Sequence, residues 1–483
     1  MPLALPPPVS AQDDGAASAS GFAARIDAIG GDVAIQRGDD NEPLAAVTNA
    51  PVIAGDYVTT GAQSRAEVGF DGRSAVRLGE NVQMRFVGVD PANRQVQLAA
   101  GAIDLRLFGD TDGQSTIDTP SISVVPRTAG SYRVEVDANG ETAVTVRAGR
   151  ADIVTPQGNQ SLQPGTTLIA DGPAANPAIH VQPALALDDF DSYNGDRDRI
   201  YVAATASSQY VNTNVAGIGD LNGNGHWVAD GTYGNVWIPT AVAANWAPYR
   251  NGNWVWEGAF GWTWVAAEPW GWAPFHYGRW YFSTAYQRWA WYPPPPARIA
   301  PAWSPALVGF VGFNIGAVNV GVGFGNIGWV PLAPYEAVHA AQYRNIQVNG
   351  ALTAVTRANF QNGRFGTATV VTTEQLRSLH PVAVQGALPL APTRANLRFT
   401  QHAPLPSLAV RPQMMNAAFA GRSFSQASYA QPQYRRPLAP AYARPPAQYY
   451  HPASPSYARP QYVHPAARPQ PHATHNRDEH RDR

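Results

Sequence analysis

Residues 252–272 read Gly-Asn-Trp-Val-Trp-Glu-Gly-Ala-Phe-Gly-Trp-Thr-Trp-Val-Ala-Ala-Glu-Pro-Trp-Gly-Trp. Three Trp-x-Trp pairs, Trp254/Trp256, Trp262/Trp264 and Trp270/Trp272, recur every eight residues, with Glu257-Gly258 and Glu268-Pro269 as turn formers between them. Residues two apart on a β-strand point to the same face, so each pair sets two indoles side by side. Eight residues is about one short strand plus a turn. The spacing predicts a tight antiparallel meander with a ladder of stacked indoles. A fourth pair, Trp289/Trp291, extends it, and all fourteen tryptophans fall between His226 and Trp329.

A longer repeat overlies the pairs. Trp246-Ala-Pro-Tyr249-x-x-Gly252-x-Trp254 returns 26 residues later as Trp272-Ala-Pro-Phe275-x-x-Gly278-x-Trp280. Proline turns a strand end, and glycine allows a positive φ before the next strand.

Fourteen indoles in about a hundred residues serve either as a core of cross-strand aromatic pairs or as an exposed platform for sugar rings or peptides. The core is the favoured reading. The candidate ligand-binding set is Trp254, Trp256, Trp262, Trp264, Trp270, Trp272 and Trp280 with the polar groups Glu268, His276 and Arg279. Glu268 and His276 have the chemistry of an acid/base pair. No second carboxylate and no serine-centred motif accompany them, so structural roles are expected: Glu268 pairing with Arg279 or Arg250 and satisfying indole N–H groups, Arg279 stacking on a ring.

Composition narrows the chemistry. The 483-residue chain has no cysteine and no lysine, which excludes disulfides, thiolate chemistry and a Schiff-base lysine. Charged residues are 14% and Gly plus Pro number 87, a turn-rich, β-like make-up. Residues 375–477 hold eleven arginines and no acid, so the body carries the acidic excess. A basic tail on an acidic body suits contact with an anionic surface or folding back on that body.

Toward the N-terminus, residues 22–172 are short alternating runs separated by turns: Val33–Ile35, Ala66–Phe70, Val76–Leu78, Val82–Phe86, Val96–Leu98, Ile103–Leu107, Tyr132–Val136, Val144–Val146 and Ala151–Ile153. Period-two alternation means one face buried and one wet. Asp71-Gly72, Ala138-Asn139-Gly140 and Ala148-Gly149 read as hairpin connections. The stretch also carries Gly31-Asp32-Val33, Gly55-Asp56, Thr59-Thr60-Gly61, Asp71-Gly72-x-Ser74-x-Val76-Arg77-Leu78, Val96-x-Leu98-x-x-Gly101, Thr119-Pro120, Val144-x-Val146-x-x-Gly149 and Leu162-x-x-Gly165. In order and spacing it resembles the FecR domain. That resemblance implies an extracytoplasmic β-module. The regulator that gives the family its name spans the inner membrane and controls a sigma factor; the membrane helix and cytoplasmic helical segment this requires are not read here, so only the β-module carries over. Where the family has Gly-Thr before one strand, this chain has Arg127-Thr128-Ala129-Gly130-Ser131-Tyr132; the strand is expected to survive.

Residues 173–199 read as a linker. Within 187–202 the acids and arginines around Phe190 and Tyr193 allow a short helix from Asp188, its charges coating a solvated face. Asp220-Leu-Asn222-Gly-Asn224-Gly225 matches half a calcium loop, but Gly231 stands where the loop needs its glutamate; an Asn-Gly turn is expected. Gly225-x-Trp227, Tyr233-Gly-Asn-Val-Trp237-x-Pro239, His276-Tyr277-Gly278-Arg279-Trp280 and Gly328-Trp329-Val-Pro-Leu332, with the repeats above, make residues 200–365 similar to a Trp/Tyr/Pro-rich domain of unknown function that often follows FecR domains in exported proteobacterial proteins. It implies no activity. Val320-Gly-Val322-Gly-Phe324 suits a strand whose glycine face admits a ring.

The expectation is an all-β protein: a leader or truncated signal segment (1–21), a FecR-like β-sandwich or β-roll (22–172), the linker, a Trp-rich antiparallel β-meander domain (200–374), and a disordered Pro/Ala/Tyr/Arg-rich tail (375–483). Val9-Ser10-Ala11 fits a signal cleavage site. His472, His475 and His480 read as a polar end, not a metal site. No cofactor, metal, nucleic acid, catalytic group or transmembrane segment is implied. The function expected is that of a non-enzymatic exported cell-envelope protein, with the tail meeting an envelope polymer or protein; the alternatives are a carbohydrate- or peptidoglycan-binding module and a FecR-type sensor.

Overall fold

The computed structural model describes residues 21–38, 42–109, 113–297, 299–314, 324–400, 408 and 411–420. The leader, most of the glycine-rich run around Val320 and Val322, and the chain beyond Ala420 lie outside these residues.

The alternating runs of the N-terminal half fall in strands, with Val82 one residue outside its own. They form two sheets over one aliphatic core, antiparallel throughout except that Gln114–Asp118 runs parallel to Asn93–Leu107 in the second. The first sheet runs in the order Pro51–Val52, Ala24–Gly30, Arg65–Asp71, Ser74–Leu78, Asn93–Leu107, Gly130–Val136, Thr142–Ala148, Thr166–Asp171, Ala178–Pro183. The second runs Pro43–Ala45, Val33–Gln36, Tyr57–Thr60, Gln83–Asp90, Asn93–Leu107, Gln114–Asp118, Ser123–Pro126, Ala151–Thr155, Gly158–Leu162. The fifteen-residue strand Asn93–Leu107 belongs to both, its first half in one sheet and its second in the other. The crossing is at Gly101, where φ is 84° and a Cβ would lie 2.8 Å from the backbone of Val82; only glycine fits. This is a β-sandwich. Asp71-Gly72 and Ala138–Gly140 join paired strands as expected, but Ala148-Gly149 carries the chain from one sheet to the other, so that turn is no hairpin. The expected linker is also corrected. Ala178–Pro183 adds a strand to the first sheet, and Asp189–Ala203 is a helix capped by Asp188.

The Trp-rich half holds three sheets and an aromatic core. A four-stranded sheet pairs Gly225–Asp230, Gly234–Pro239, Arg288–Tyr292 and Arg279–Ser283. Gly252–Glu257 and Gly261–Ala266 form a separate hairpin, with Trp254 opposite Trp264 and Trp256 opposite Trp262. A five-stranded sheet pairs Thr369–Val371, Leu352–Thr356, Asn326–Pro331, Val308–Phe313 and Val382–Ala383. The single meander is therefore corrected: the indoles sit on two sheets, one hairpin and connecting segments. Trp272 opens a short helix, Trp272–His276, because Pro274 fits the first turn of a helix and leaves a ladder without a donor. Nor are the paired rings stacked. Trp254/Trp264 and Trp256/Trp262 meet edge to face, at 65° and 76°, as the ring quadrupole prefers.

Ordered elements continue past residue 375, where a tail was expected. They include the helices Thr373–Leu379 and Pro412–Ala418. Phe399 is buried in the sandwich core, and Met415 packs on Tyr57 and Ala99. A few apolar anchors in a proline-rich stretch suffice to fold it back.

Candidate functional site

The hairpin Gly252–Glu257/Gly261–Ala266 has two working faces. Trp254, Trp262 and Trp264 are buried in the aromatic core and Trp256 packs against it, while Val255 and Val265, one residue out of phase, are buried in the core of the sandwich. Around it, Arg37 pairs with Glu257, Asn253 donates to the Phe399 carbonyl, and Asn49 donates to the carbonyls of Ala266 and Glu268 at 3.1 and 2.8 Å. The two β regions thus share a structural element.

The second part of the seam is ionic. The polar positions of the first sheet form a checkerboard set by register: Arg77 lies opposite both Glu67 and Asp104, and Arg133 lies opposite Asp104. The alternation assigns this face to solvent. It is covered instead by the helix Asp189–Ala203, and Arg77 and Glu67 are wholly buried. Asp191, Asn194, Asp198 and Tyr201, spaced three, four and three apart, share one helical face. Asp191 accepts from Arg133 and Arg147 at 3.0 and 2.8 Å, Asp198 from Arg77 and Arg106 at 2.5 and 3.0 Å, and the Asn194 carbonyl from Arg77 at 2.7 Å. Glu67 lies between Arg77 and Arg197, 2.6 Å from each. The expected solvated charges are therefore a staple. The three-four-three spacing was visible in the sequence; the arginines awaiting it across the strands were not.

At the end of the helix this network meets the Trp-rich half. Arg25 pairs with Asp27 at 3.1 Å and with Asp220, and donates to the Pro269 carbonyl at 2.6 Å. Tyr201 donates to Asp27 at 2.7 Å. Arg25, Asp27, Glu67, Arg197, Tyr201 and Asp220 line a small, partly open pocket. Burial, partly offset by Arg25, pushes Asp27 up to about 7. Burial also raises Asp104 and, with the Asp27 and Glu67 carboxylates, the Tyr201 phenol. Asp220, first residue of the half calcium loop, faces Arg25; Asn222 and Asn224 donate to the carbonyls of Ala203 and Asp220, both at 2.7 Å. Among the described residues no group of three His, Asp or Glu side chains is placed to hold a metal ion.

The ten candidate residues are not gathered on an open surface. Trp254, Trp262, Trp264, Trp270, Trp272 and Trp280 are buried, and Trp256 is half-buried. Glu268, raised by burial, accepts from the Trp246 indole at 2.8 Å and from Asn251 at 3.2 Å. It satisfies an indole N–H as expected, but its hydrogen bonds go to these two side chains and no ion pair joins it to Arg279 or Arg250 among the described residues. His276 packs against Trp272 and Trp303, which also contact each other, and bonds the Ser304 carbonyl at 2.7 Å; burial depresses it to about 4. Arg279 donates to the Gly278 carbonyl at 2.9 Å. The 26-residue repeat is explained by packing. Tyr249 of the first copy donates to the carbonyl of Phe275 in the second at 2.7 Å and packs on its ring, and Trp246 meets Trp280 edge to face.

Comparison with known proteins fits this division. The family model FecR protein matches residues 56–152, inside the sandwich. The chain carries a FecR domain. Beyond it, Family of unknown function (DUF6600) matches residues 218–336, which span the four-stranded sheet, the hairpin and the first two strands of the five-stranded sheet. The helix that staples the FecR domain lies between the two matches. Two crystal structures of a “putative anti-sigma factor” from Parabacteroides distasonis ATCC 8503 are similar at 17% and 19% identity, each with a TM-score of 0.24. The similarity covers 30% and 32% of this chain and 64% and 67% of theirs, so the chain spans just under two thirds of the first. No curated protein matches by sequence. No helix among the described residues is long and apolar enough to cross a membrane.

Proposed function

We propose that the chain is a non-enzymatic, exported scaffold of the cell envelope, a FecR domain and a Trp-rich domain locked together, with its basic proline-rich C-terminal segment contacting an envelope polymer or an envelope protein. The supporting observation is how the ionisable groups are used. Glu268 and His276, the pair with acid/base chemistry, are spent on Trp246, Asn251 and Ser304, and the charges of the FecR domain are spent on the seam. The seven arginines of residues 421–477 supply the contact with anionic polymer. Sedimentation with purified sacculi and with lipopolysaccharide, comparing the full chain with one lacking residues 421–483, tests this. The full chain is expected to co-sediment and the shortened chain to lose at least tenfold in retention; equal retention removes the tether.

A second reading, a FecR-type extracytoplasmic sensor, is favoured by the match over residues 56–152. Recovery of a sigma factor or its membrane regulator with the tagged chain would select it. The carbohydrate-binding alternative is disfavoured by the buried indoles: tryptophan emission is expected to stay flat across a panel of glycan fragments.

A further inference from the structure

The four-stranded sheet of the Trp-rich half carries tryptophans on one face and tyrosines on the other. Trp227, Trp237, Trp280 and Trp291 belong with the aromatic core, while Val236, Ile238 and Ala290 form a small separate cluster overlaid by Tyr233, Tyr281 and Tyr292. The alternation follows from the strand period. Three tyrosines are accounted for by that cover. Tyr335 is not. It is 67% exposed, stands outside the small cluster, and contacts the rings of Tyr233 and Tyr292 at 6.3 and 5.8 Å.

Its backbone is also unusual. Tyr335 has φ = 62°, the left-handed region that aromatic side chains rarely adopt. The turn is clamped from beneath by Glu336, whose carboxylate accepts from the backbone N–H groups of Ala333 at 2.9 Å and Arg344 at 2.6 Å. A buried carboxylate therefore holds an exposed ring in a strained position, to the benefit of no aliphatic core. The ring planes in this cluster are inclined to one another by 38–54°. Inclined rings make ridges and clefts, the relief of surfaces that take polyproline II strands between aromatic side chains, and not the flat floor that a sugar ring stacks on. The Tyr292 and Tyr335 hydroxyls are 3.3 Å apart; one O–H satisfies the other oxygen and leaves a donor free for a peptide carbonyl.

Charge sets one more requirement. Asp230 accepts from the Tyr281 hydroxyl and from the backbone N–H groups of Thr232 and Tyr233, and these bonds outweigh its slight burial and hold its carboxyl below the usual range. It is an ionised acid at the edge of the rings. Arg279, across from Tyr292, is turned onto the Gly278 carbonyl, and Arg288 lies four residues along the strand from Tyr292, roughly 13 Å away. We infer that the tyrosine face of this sheet is a binding site for a proline-rich peptide segment carrying an arginine, with prolines seated among Tyr233, Tyr281, Tyr292 and Tyr335 and the guanidinium on Asp230. This goes beyond the scaffold reading and does not depend on where the chain resides.

The test uses the full chain and a fluorescent synthetic peptide with the sequence of residues 439–460, which contains two Tyr-Ala-Arg-Pro units, read by anisotropy. Saturable binding is expected, weakened at least tenfold in Tyr335→Ala, less than threefold in Tyr335→Phe, which keeps the ring, and at least fivefold in Asp230→Asn. A peptide with both arginines changed to glutamate should bind at least tenfold less. Tyr335 is exposed, so its removal leaves the fold intact, checked by unchanged tryptophan emission. Absence of saturable binding overturns the inference, as does binding indifferent to Tyr335→Ala. Cello- or chito-oligosaccharide binding at this face, lost in Tyr335→Ala while the peptide fails to bind, would overturn it in favour of a sugar site.

Discussion

The two β regions solve the same problem with different materials. The FecR domain buries Val, Ile, Leu and Ala between two sheets and covers one outer face with an ion-pair network. The Trp-rich domain has small, separate sheets and fills the space between them with rings. Aliphatic side chains need two broad, matched sheets to be covered. Indoles bury far more area each and lock through edge-to-face contacts worth about 0.5–1.5 kcal/mol beyond that area, so short strands and loops suffice. The regions are not independent beads: a hairpin carrying valine on one face and tryptophan on the other belongs to both cores.

The largest effect is expected from disrupting that hairpin on its aliphatic side. Val255→Asp would place an unpaired carboxylate in the sandwich core and cost roughly 4–5 kcal/mol. If the regions share one cooperative unit, sheet content by circular dichroism and tryptophan emission fall together in a thermal melt. Two separated transitions, with the indoles unaffected, would show that the shared hairpin does not couple them.

Next is the staple. Glu67→Leu leaves the Arg77 and Arg197 guanidiniums facing each other under the helix, and the expected loss is about 3–5 kcal/mol. Adding Arg77→Met should recover a good part of it, because apolar groups of similar volume replace buried ion pairs at little cost. No recovery in chemical denaturation would mean that the ion pairs specify the helix position and do not merely tolerate burial.

The regions should also answer pH in opposite senses. Asp27 is raised to about 7 in the fold, above its ordinary value near 3.9 when unfolded. The folded state therefore binds the extra proton between these values, and stability from this group is greatest below about pH 4 and is lost as pH rises to about 7. His276 is depressed to about 4 from an ordinary 6.5, so its contribution is present above about 6.5 and lost as pH falls to about 4. Across pH 4.5–6.5, Asp27→Asn should steepen the loss of Tm on acidification and His276→Gln should flatten it, each by roughly 2–4 °C. The same slope in both variants would remove the contrast.

The sequence revealed the strands of the FecR domain because alternation is local: each polar–apolar step reports its own face. It revealed the Trp254/Trp256 and Trp262/Trp264 hairpin for the same reason. It hid what depends on partners far along the chain. Nothing in the linker-like stretch before Asp188 shows that Ala178–Pro183 completes a sheet, and nothing around Glu67 shows that a helix from 189 will cover it. The alternation of Val255 and Val265 with the indoles was legible, but not that the valines face a second core. Of the candidate residues, burial was foreseeable for the tryptophans. No spacing in the sequence announces the tyrosine face, because its four rings come from separate strands and turns.

The smallest expected effect concerns the start of the covering helix, where local and distant contributions can be separated. Asp188 accepts from the backbone N–H groups of Phe190 and Asp191, Asp191 returns a bond to the Asp188 N–H, and Asp188 also pairs with Arg133 at 2.8 Å. The capping bonds are local and contribute about 1 kcal/mol. The ion pair is half exposed on the Asp188 side, so screening leaves it only tenths of a kcal/mol. Asp188→Asn keeps the cap and removes the charge; Asp188→Ala removes both. If capping governs, Asn should cost a few tenths of a kcal/mol and Ala about 1 kcal/mol in denaturant melts. Equal losses would assign the effect to Arg133, making even the first turn of this helix a product of the sheet beneath it and not of its own sequence.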